Sequence, residues 1–424
     1  MEVSLTNISD VEKEIQIQAT ALELAPHLEE AYKRQQAKIE IKGFRKGKAP
    51  LELVKRIHGE SIEYNSLDTI ASDLYRQIVK EREIFPVGEP VLTNIDYKRG
   101  ELLTFKVKYE VKPTFELKEY KNIPAEKVIH IVTDKEISEE LLRLRKSSST
   151  MEQVDEVTDD EHVVTADVQQ LDDTGNPLIG KKTPDAKFYL ANESLLPKIK
   201  EALHKVKVGE TRRVKIEQEH DGDKHIDNLD LIIKKIEKVN LPDLNDEFVK
   251  KITKEKITTL TDYQQQLKKD IERYWNDLSE RRLLDSIIGE IVRRHEFTVP
   301  ESLIKGVLDS LIEDMKNQYP NKKLPDDFNK ETFNENNRSY AIFQAKWFLI
   351  QEKISDTEKI SVEDTDYDRL AEIEAPKFAI EKERLLQFYK SSNSVKDRII
   401  NNKLTDFLKK HAQITENITE EPIS

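Results

Sequence analysis

The chain has 424 residues, a formal charge of -13 at neutral pH, and 36% charged against 37% hydrophobic residues. That length exceeds one compact core and predicts roughly two to four domains, while lean apolar content with aromatics and branched aliphatics throughout predicts extended helical architecture with much solvated surface, not disorder. The absence of cysteine excludes disulfides and thiolate chemistry, and the acidic total excludes nonspecific coating of nucleic acid.

The opening residues Met1-Glu2-Val3-Ser4-Leu5 lack the basic and apolar regions of a signal peptide, and no stretch approaches the roughly 18 apolar residues that cross a bilayer. A soluble cytoplasmic protein without membrane contact is therefore expected. Period-two alternation at Val3-Ser4-Leu5 and over residues 14–19 predicts two strands. A helical stretch opening at Pro26 follows, with Leu28, Ala31, Tyr32 and Ile39 near one face. It delivers the chain to Lys42-Gly43-Phe44-Arg45-Lys46-Gly47-Lys48-Ala49-Pro50, where two glycines, an aromatic and four cations stand together. Gly43 and Gly47 permit positive φ and a tight turn, and Pro50 is preset for the first turn of the next helix. From Lys33 to Arg56 nine Lys or Arg face only Glu40 and Glu52, a local reversal of sign. The pattern predicts an exposed tip that docks on an anionic partner, for which RNA phosphate is the obvious candidate. A solubilising loop is the plainer reading, but such a loop has no need of Phe44 among its cations. A short helix with Leu51, Val54 and Ile57 comes next, then a longer one from Glu60 whose Leu67, Ile70, Ala71, Leu74, Ile78 and Val79 form a stripe that must lie on a sheet. Residues 91–97 and 103–111, joined by a turn at Arg99-Gly100, complete that sheet, so an α+β domain is expected to end near Pro113.

Beyond it, Phe115-Glu116-Leu117-Lys118-Glu119-Tyr120 reads as extended, and residues 134–145 as a helix broken by Ser147-Ser148-Ser149. Strand signals return at 163–171, 187–190, 211–217 and 229–237, with a turn at Asp172-Asp173-Thr174-Gly175 and one helix over 198–205. His220-Asp221-Gly222-Asp223-Lys224-His225 gathers two His and two Asp, but Asp-Gly is a preferred hairpin turn and no third cluster supports a site, so no metal is expected. Nothing elsewhere has nucleophile, base or phosphate-loop spacing, and no cofactor is expected. From residue 243 the pattern is helical: about 261–295, then a helix from Glu301 with Leu303, Ile304, Val307, Leu308, Leu311, Ile312 and Met315, then 339–355, 364–373, 378–389 and 394–411. Residues 415–424 read as a frayed acidic tail. The helix at 339–355 carries Ile342, Phe343, Ala345, Trp347, Phe348, Leu349, Ile350 and Ile354, and apolar character this far round predicts burial between other helices. Exposure of Met315, Phe343, Trp347 and Phe348 would make them a binding surface instead.

Gly43-Phe44-Arg45-Lys46-Gly47-Lys48-Ala49-Pro50 resembles the G-F-R-x-G-K-x-P signature of the trigger factor family, bacterial chaperones that dock beside the ribosomal exit tunnel. Lys207-Val208-Gly209-Glu210 resembles the K-x-G-E turn of the immunophilin-type (FKBP-like) prolyl isomerase module inserted in that family. Leu241-Pro242-Asp243-Leu244-Asn245-Asp246-Glu247-Phe248 resembles the L-P-x-L-x-D-E-F junction that leaves the module, and Val299-Pro300-Glu301 the opening of a family helix. The resemblance covers nearly the whole chain and implies a multidomain fold, α+β and all-α: a ribosome-binding α+β domain over 1–113, a linker arm over 114–150 packing on the C-terminal body, an FKBP-like β-rich middle domain over 151–242, and an elongated all-helical chaperone body over 243–424. It implies docking on large-subunit protein and ribosomal RNA at the exit tunnel through Phe44, Arg45 and Lys46, with Gly43, Gly47 and Pro50 shaping the loop and Lys48 completing the set. Unfolded nascent polypeptides are the implied clients, with Met315, Phe343, Trp347 and Phe348 as their candidate contacts, and a weak homodimer of the free protein stays open.

Whether the middle module is an enzyme is a separate matter from its fold. Immunophilin-type isomerases hold the proline ring in a dry cup of aromatics, because a desolvated amide twists more easily. Aligned on that pattern, the aromatic after the strand aspartate is Val168, the Phe-Asp or Phe-Glu pair is Leu178-Ile179, and the Ile-Pro-Gly-Phe/Trp segment is Leu196-Pro197-Lys198-Ile199. The flap shrinks to residues 217–225. Each replacement removes a ring or an acceptor, so the resemblance implies a degenerate pocket at Val168, Leu178, Ile179, Leu196 and Ile199 with weak or lost activity and no catalytic residue. Two alternatives stand beside this reading: an active peptidyl-prolyl isomerase with chaperone arms, and an RNA-binding protein unconnected with nascent chains.

Overall fold

The computed structural model describes residues 1–220, 223–421 and 423, without the side chains of 217–226, so the side chains of the flap at 217–225 and of the tract from His220 to His225, on which the metal and flap readings depend, lie outside what is described. The chain begins with β1 (Glu2–Asn7), β2 (Glu12–Thr20), α1 (Ala21–Gln36), α2 (Leu51–Glu81), β3 (Val87–Lys98), β4 (Leu102–Glu110) and β5 (Pro124–His130). It continues through α3 (Asp134–Ser147), β6 (Thr150–Val154), β7 (His162–Leu171), β8 (Pro177–Tyr189), α4 (Pro197–Leu203), β9 (Thr211–His220) and β10 (Asp223–Asn240). Then come α5 (Asp246–Thr253), α6 (Leu260–Arg294), α7 (Glu301–Gln318), α8 (Lys330–Thr357), α9 (Asp364–Phe378), α10 (Lys382–Ser391), α11 (Asn393–His411) and β11 (Gln413–Thr419). Two compact units result: Met1–Lys127 with Glu280–Glu416, and Val128–Ser279 with Asn417–Ser424. No helix among the described residues is long and apolar enough to cross a membrane.

In the first unit, β1-β2-β4-β3 form an antiparallel sheet. Alternation puts Ile15, Ile17, Leu103, Phe105 and Val107 on one face, where they meet Leu67, Ile70, Leu74 and Ile78 of α2. The two helices expected after Pro50 are one, because Gly59 is absorbed into α2 without a break. Pro26 does not open α1 but lies inside it. The helix starts five residues earlier in sequence, at Ala21, where the Glu23 carboxylate accepts the Thr20 N–H at 2.8 Å and satisfies the entrance. Elsewhere in the unit, Leu283, Ile287 and Ile291 of α6 share a core with Ile350 and Ile354 of α8, Leu404 and Leu408 of α11, and Ile123. Helix α8 starts well before the expected residue 339, because Asn329 caps it by accepting the Glu331 and Thr332 N–H groups at 2.9 and 3.1 Å. Phe378 closes α9 and does not open the next helix: Ala379 takes φ +52°, and α10 begins at Lys382.

In the second unit, strands run β6-β10-β7-β8 with β9 also paired to β10. Helix α4 lies on this sheet through Ile199 and Leu203, in a core otherwise of Val, Ile, Leu and Ala. A separate cluster joins Ile137 and Leu141 of α3 to Tyr263, Leu267, Ile271 and Trp275 of α6. The end of the chain corrects the reading of a frayed tail. Residues 413–419 form β11 on β5, and in this unit the Ile131 N–H donates to Thr419 O at 2.9 Å while Ile423 is buried.

Candidate docking loop, helical groove and pocket positions

The loop between α1 and α2 is built from two tandem turns. The Phe44 N–H donates to Ile41 O at 3.0 Å, and the Lys48 N–H to Arg45 O at 2.9 Å. Gly43 and Gly47 occupy the third position of each turn with φ +94° and +74°, which a side chain would resist. At Gly47 a Cβ would also stand 3.2 Å from Ala37 O. Pro50 sits one residue before the helix, where its carbonyl accepts the Leu53 N–H at 3.0 Å. Ile41 and Ala49 are buried with Ala31, Tyr32, Val54 and Ile62 in a small core of the loop's own, and the Gln36 side-chain amide straps α1 to Ala49 O at 2.6 Å. The residues between these anchors face outward: Phe44 keeps 43% of its surface, and Arg45, Lys46 and Lys48 are exposed.

Electrostatics sharpen the tip further than charge counting does. Lys33, Arg34 and Lys55 are neutralised by Glu29, Glu30 and Glu52 at 2.9, 2.6 and 3.1 Å along their own helices. Among the described residues the other six, Lys38, Lys42, Arg45, Lys46, Lys48 and Arg56, have no ion-pair partner. Four of these six unpaired cations lie within four residues of the exposed Phe44 ring in sequence.

The helical contact candidates separate into different surroundings. Met315 and Phe343 are half-buried, and Phe343 packs on the core shared by α6, α8 and α11. Trp347 touches that core and also lines a groove of about 480 Å³ with Phe348, which keeps 47% of its surface. Helix α8 is thus not buried all round: Ala341, Leu349 and Ile350 are inside, Ala345 is buried at the edge of the groove, and Tyr340, Trp347 and Phe348 beside them line it. The other groove wall comes from Leu303, Val307 and Leu311 of α7, and Tyr340 extends the α8 side. The sequence reading missed these four as contacts. Their signal was present as a second stripe, 303-307-311, parallel to the buried 304-308-312 stripe of the same helix.

The positions of the middle module expected to form a pocket differ in exposure. Ile199 is buried in the sheet–helix core and Val168 packs against it, whereas Leu178, Ile179 and Leu196 are exposed, Ile179 completely. A register shift between Gln169 and Leu171 displaces β8 locally, and the Gln169 side-chain amide donates to Leu178 O at 2.9 Å. Beside Val168 the Asp167 carboxylate pairs with Lys182 at 2.8 Å and Lys234 at 3.4 Å. Lys182, the Asp185 N–H and Lys234 together hold its pKa down to about 2. An ion cluster thus stands next to Val168, the position expected from the resemblance to correspond to a cup aromatic.

Comparison with known proteins agrees with this architecture. Residues 1–144 match the family model of the bacterial trigger factor protein, and residues 259–410 match the model of its C-terminus. The trigger factor of Salinibacter ruber is 30% identical over 96% of this chain and 93% of its own. That of Chloroherpeton thalassium is 32% identical over 98% and 97%. A solved structure described as showing promiscuous substrate recognition in folding and assembly activities of the trigger factor chaperone is similar in fold, with a TM-score of 0.51 and 20% identity over 97% of this chain and 99% of that one.

Proposed function

This chain belongs to the trigger factor family of ribosome-associated chaperones, and we propose that it docks on the large ribosomal subunit at the exit tunnel through Phe44, Arg45 and Lys46 and holds emerging polypeptides on its helices. The observation that carries the reading is the tip itself, an exposed ring among unpaired cations on a loop whose two ends are anchored in a small core. Cations meet phosphate, and Phe44 adds an apolar contact that a purely electrostatic patch lacks. Gly43, Gly47, Lys48 and Pro50 keep the tip's shape and charge. In this reading residues 1–113 dock, 114–150 link, 151–242 form an isomerase-like module of weak or lost activity, and 243–424 form the chaperone body. The α7–α8 groove, with Trp347 and Phe348 on one wall and Leu303, Val307 and Leu311 on the other, suits apolar side chains of an unfolded segment. Tethering raises the effective concentration of nascent chains at such weak sites.

Replacing Phe44, Arg45 and Lys46 together with alanine is expected to abolish co-sedimentation with ribosomes while the circular dichroism melt stays unchanged. Survival of ribosome binding would overturn the docking assignment. Competition separates the RNA-binding alternative: intact large subunits are expected to displace the bound protein, whereas free RNA at equal phosphate concentration is not.

A further inference from the structure

We infer that Glu63 is a buried positioning residue for the docking tip, joining the small core under the loop to the main sheet. The inference rests on the docking reading above. Glu63 lies on α2 with 5% of its surface exposed, an expensive place for a carboxylate unless its oxygens are occupied. They are occupied by donors from three other places. Oε1 accepts from the Tyr32 hydroxyl of α1 and from Arg99 Nη2 at 3.1 Å, and Oε2 accepts from the Tyr97 hydroxyl of β3 at 2.7 Å and Arg99 Nε at 3.0 Å. Tyr32 belongs to the core beneath the loop, with Ile41 and Ala49. Tyr97 belongs to the separate core between α2 and the sheet. One carboxylate thus bridges the two cores, and it does so with directional bonds, which fix an angle as apolar contacts do not.

Gly59, one turn before Glu63, makes the arrangement possible. A Cβ there would lie 3.0 Å from Arg99 Nη2 and 3.6 Å from the Tyr32 hydroxyl oxygen, where the guanidinium now passes. Glycine inside a helix is unfavourable relative to alanine, so stability of α2 alone argues for a different residue at this position. The gap serves the fork of Arg99.

The test uses the full chain carrying Gly59→Ala or Arg99→Ala. Arg99 is half-exposed, so its removal leaves no cavity, and Gly59→Ala favours the helix. Both variants are expected to weaken ribosome affinity about tenfold, by loss of charge-assisted bonds that hold the tip's angle. In Gly59→Ala the gain in helix propensity offsets part of the cost of the lost bonds, so its melting temperature falls less than that of Arg99→Ala while its affinity falls as much, a split of affinity from stability that a purely structural role does not produce. Hydrogen exchange at the Phe44 and Lys48 amides accelerates in both, and Arg99→Lys restores part of the affinity. In the triple-alanine tip background Arg99→Ala changes nothing further. Affinity within twofold of the parent for Gly59→Ala and Arg99→Ala, while the tip variant has lost binding, overturns the positioning role. Retained binding by the tip variant overturns the docking reading itself, and accelerated loop exchange in Arg99→Ala then still registers the mechanical link.

Discussion

His295 sits at the end of α6 with both ring nitrogens committed. Nδ1–H donates to Ile291 O at 2.7 Å, and Nε2 accepts the Lys118 N–H at 2.8 Å. The ring is therefore neutral in the folded chain, edge-on to Phe115, which stacks on Phe297 with centroids 4.2 Å apart. Burial is the main reason its pKa falls below the ordinary 6.5, and Lys118, Lys346 and Lys353 push the same way against the bond to Ile291. Below 6.5 the unfolded chain binds a proton that the folded chain refuses, so stability is full above that pH and is lost as pH falls through it. Protonation would also set two donors, Nε2–H and the Lys118 N–H, against each other. Urea midpoints measured from about pH 7.5 to about pH 5.5 are expected to drop, and His295→Gln, which keeps an acceptor without titrating in that range, is expected to flatten the drop. An unchanged slope in the variant would remove this role. Periodicity placed His295 at a helix end. Its two partners, one of them 177 residues away in sequence, left no local trace.

At the scale of elements, the C-terminal strand shows where local patterning runs out. Residues 415–424 are polar and acidic, and read locally as a tail. In the fold the Gln413 N–H donates to Ile123 O at 2.8 Å in the first unit, and His130 Nδ1 hydrogen-bonds with Glu421 O at 3.0 Å in the second. The other His130 nitrogen meets Glu136 at 2.9 Å, and Glu136 accepts from Trp275 Nε1 at 3.2 Å, so the terminal residues complete a polar cluster. Deleting residues 413–424 is expected to lower unfolding free energy by about 2 kcal/mol or more, since several backbone bonds and one buried side chain go with them. A guanidinium midpoint unchanged by the deletion would support a dispensable tail. The merging of two expected helices into α2 has the same kind of cause. Gly59 reads as a local break, but contacts from Tyr32 and Arg99 occupy the space above it and the helix continues.

For the whole molecule, the contrast lies between holding polypeptides and catalysing on them. The middle module has a sheet, a helix and an aliphatic core; of the positions expected to correspond to a prolyl cup, Ile199 and Val168 belong to that core while Leu178, Ile179 and Leu196 are exposed. In a prolyl-peptide assay the full chain is expected to give no more than about a hundredth of the acceleration of a family member with an intact aromatic cup, corresponding to about 2.7 kcal/mol of lost transition-state stabilisation. Comparable acceleration would restore the isomerase alternative. Holding activity is expected to respond to the groove instead. Phe348→Ser, at an exposed position, should leave the melt within about 0.5 kcal/mol of the parent and raise the light scattering of a refolding client. If scattering stays at the parent's level, the groove is not the holding surface.

By itself the sequence determined the family, most of the two-period and helical segments, and the loop over Lys42–Pro50 with its glycine turns, because each of these is written in neighbouring residues. Tertiary structure alone decided which side of α8 is core and which is groove, that the terminal residues form a strand, and that Glu63 is buried and yet paired. Those outcomes depend on groups far apart in the chain meeting in space. Only the folded chain reveals whether an apolar side chain finds a neighbour or a buried carboxylate finds its donors.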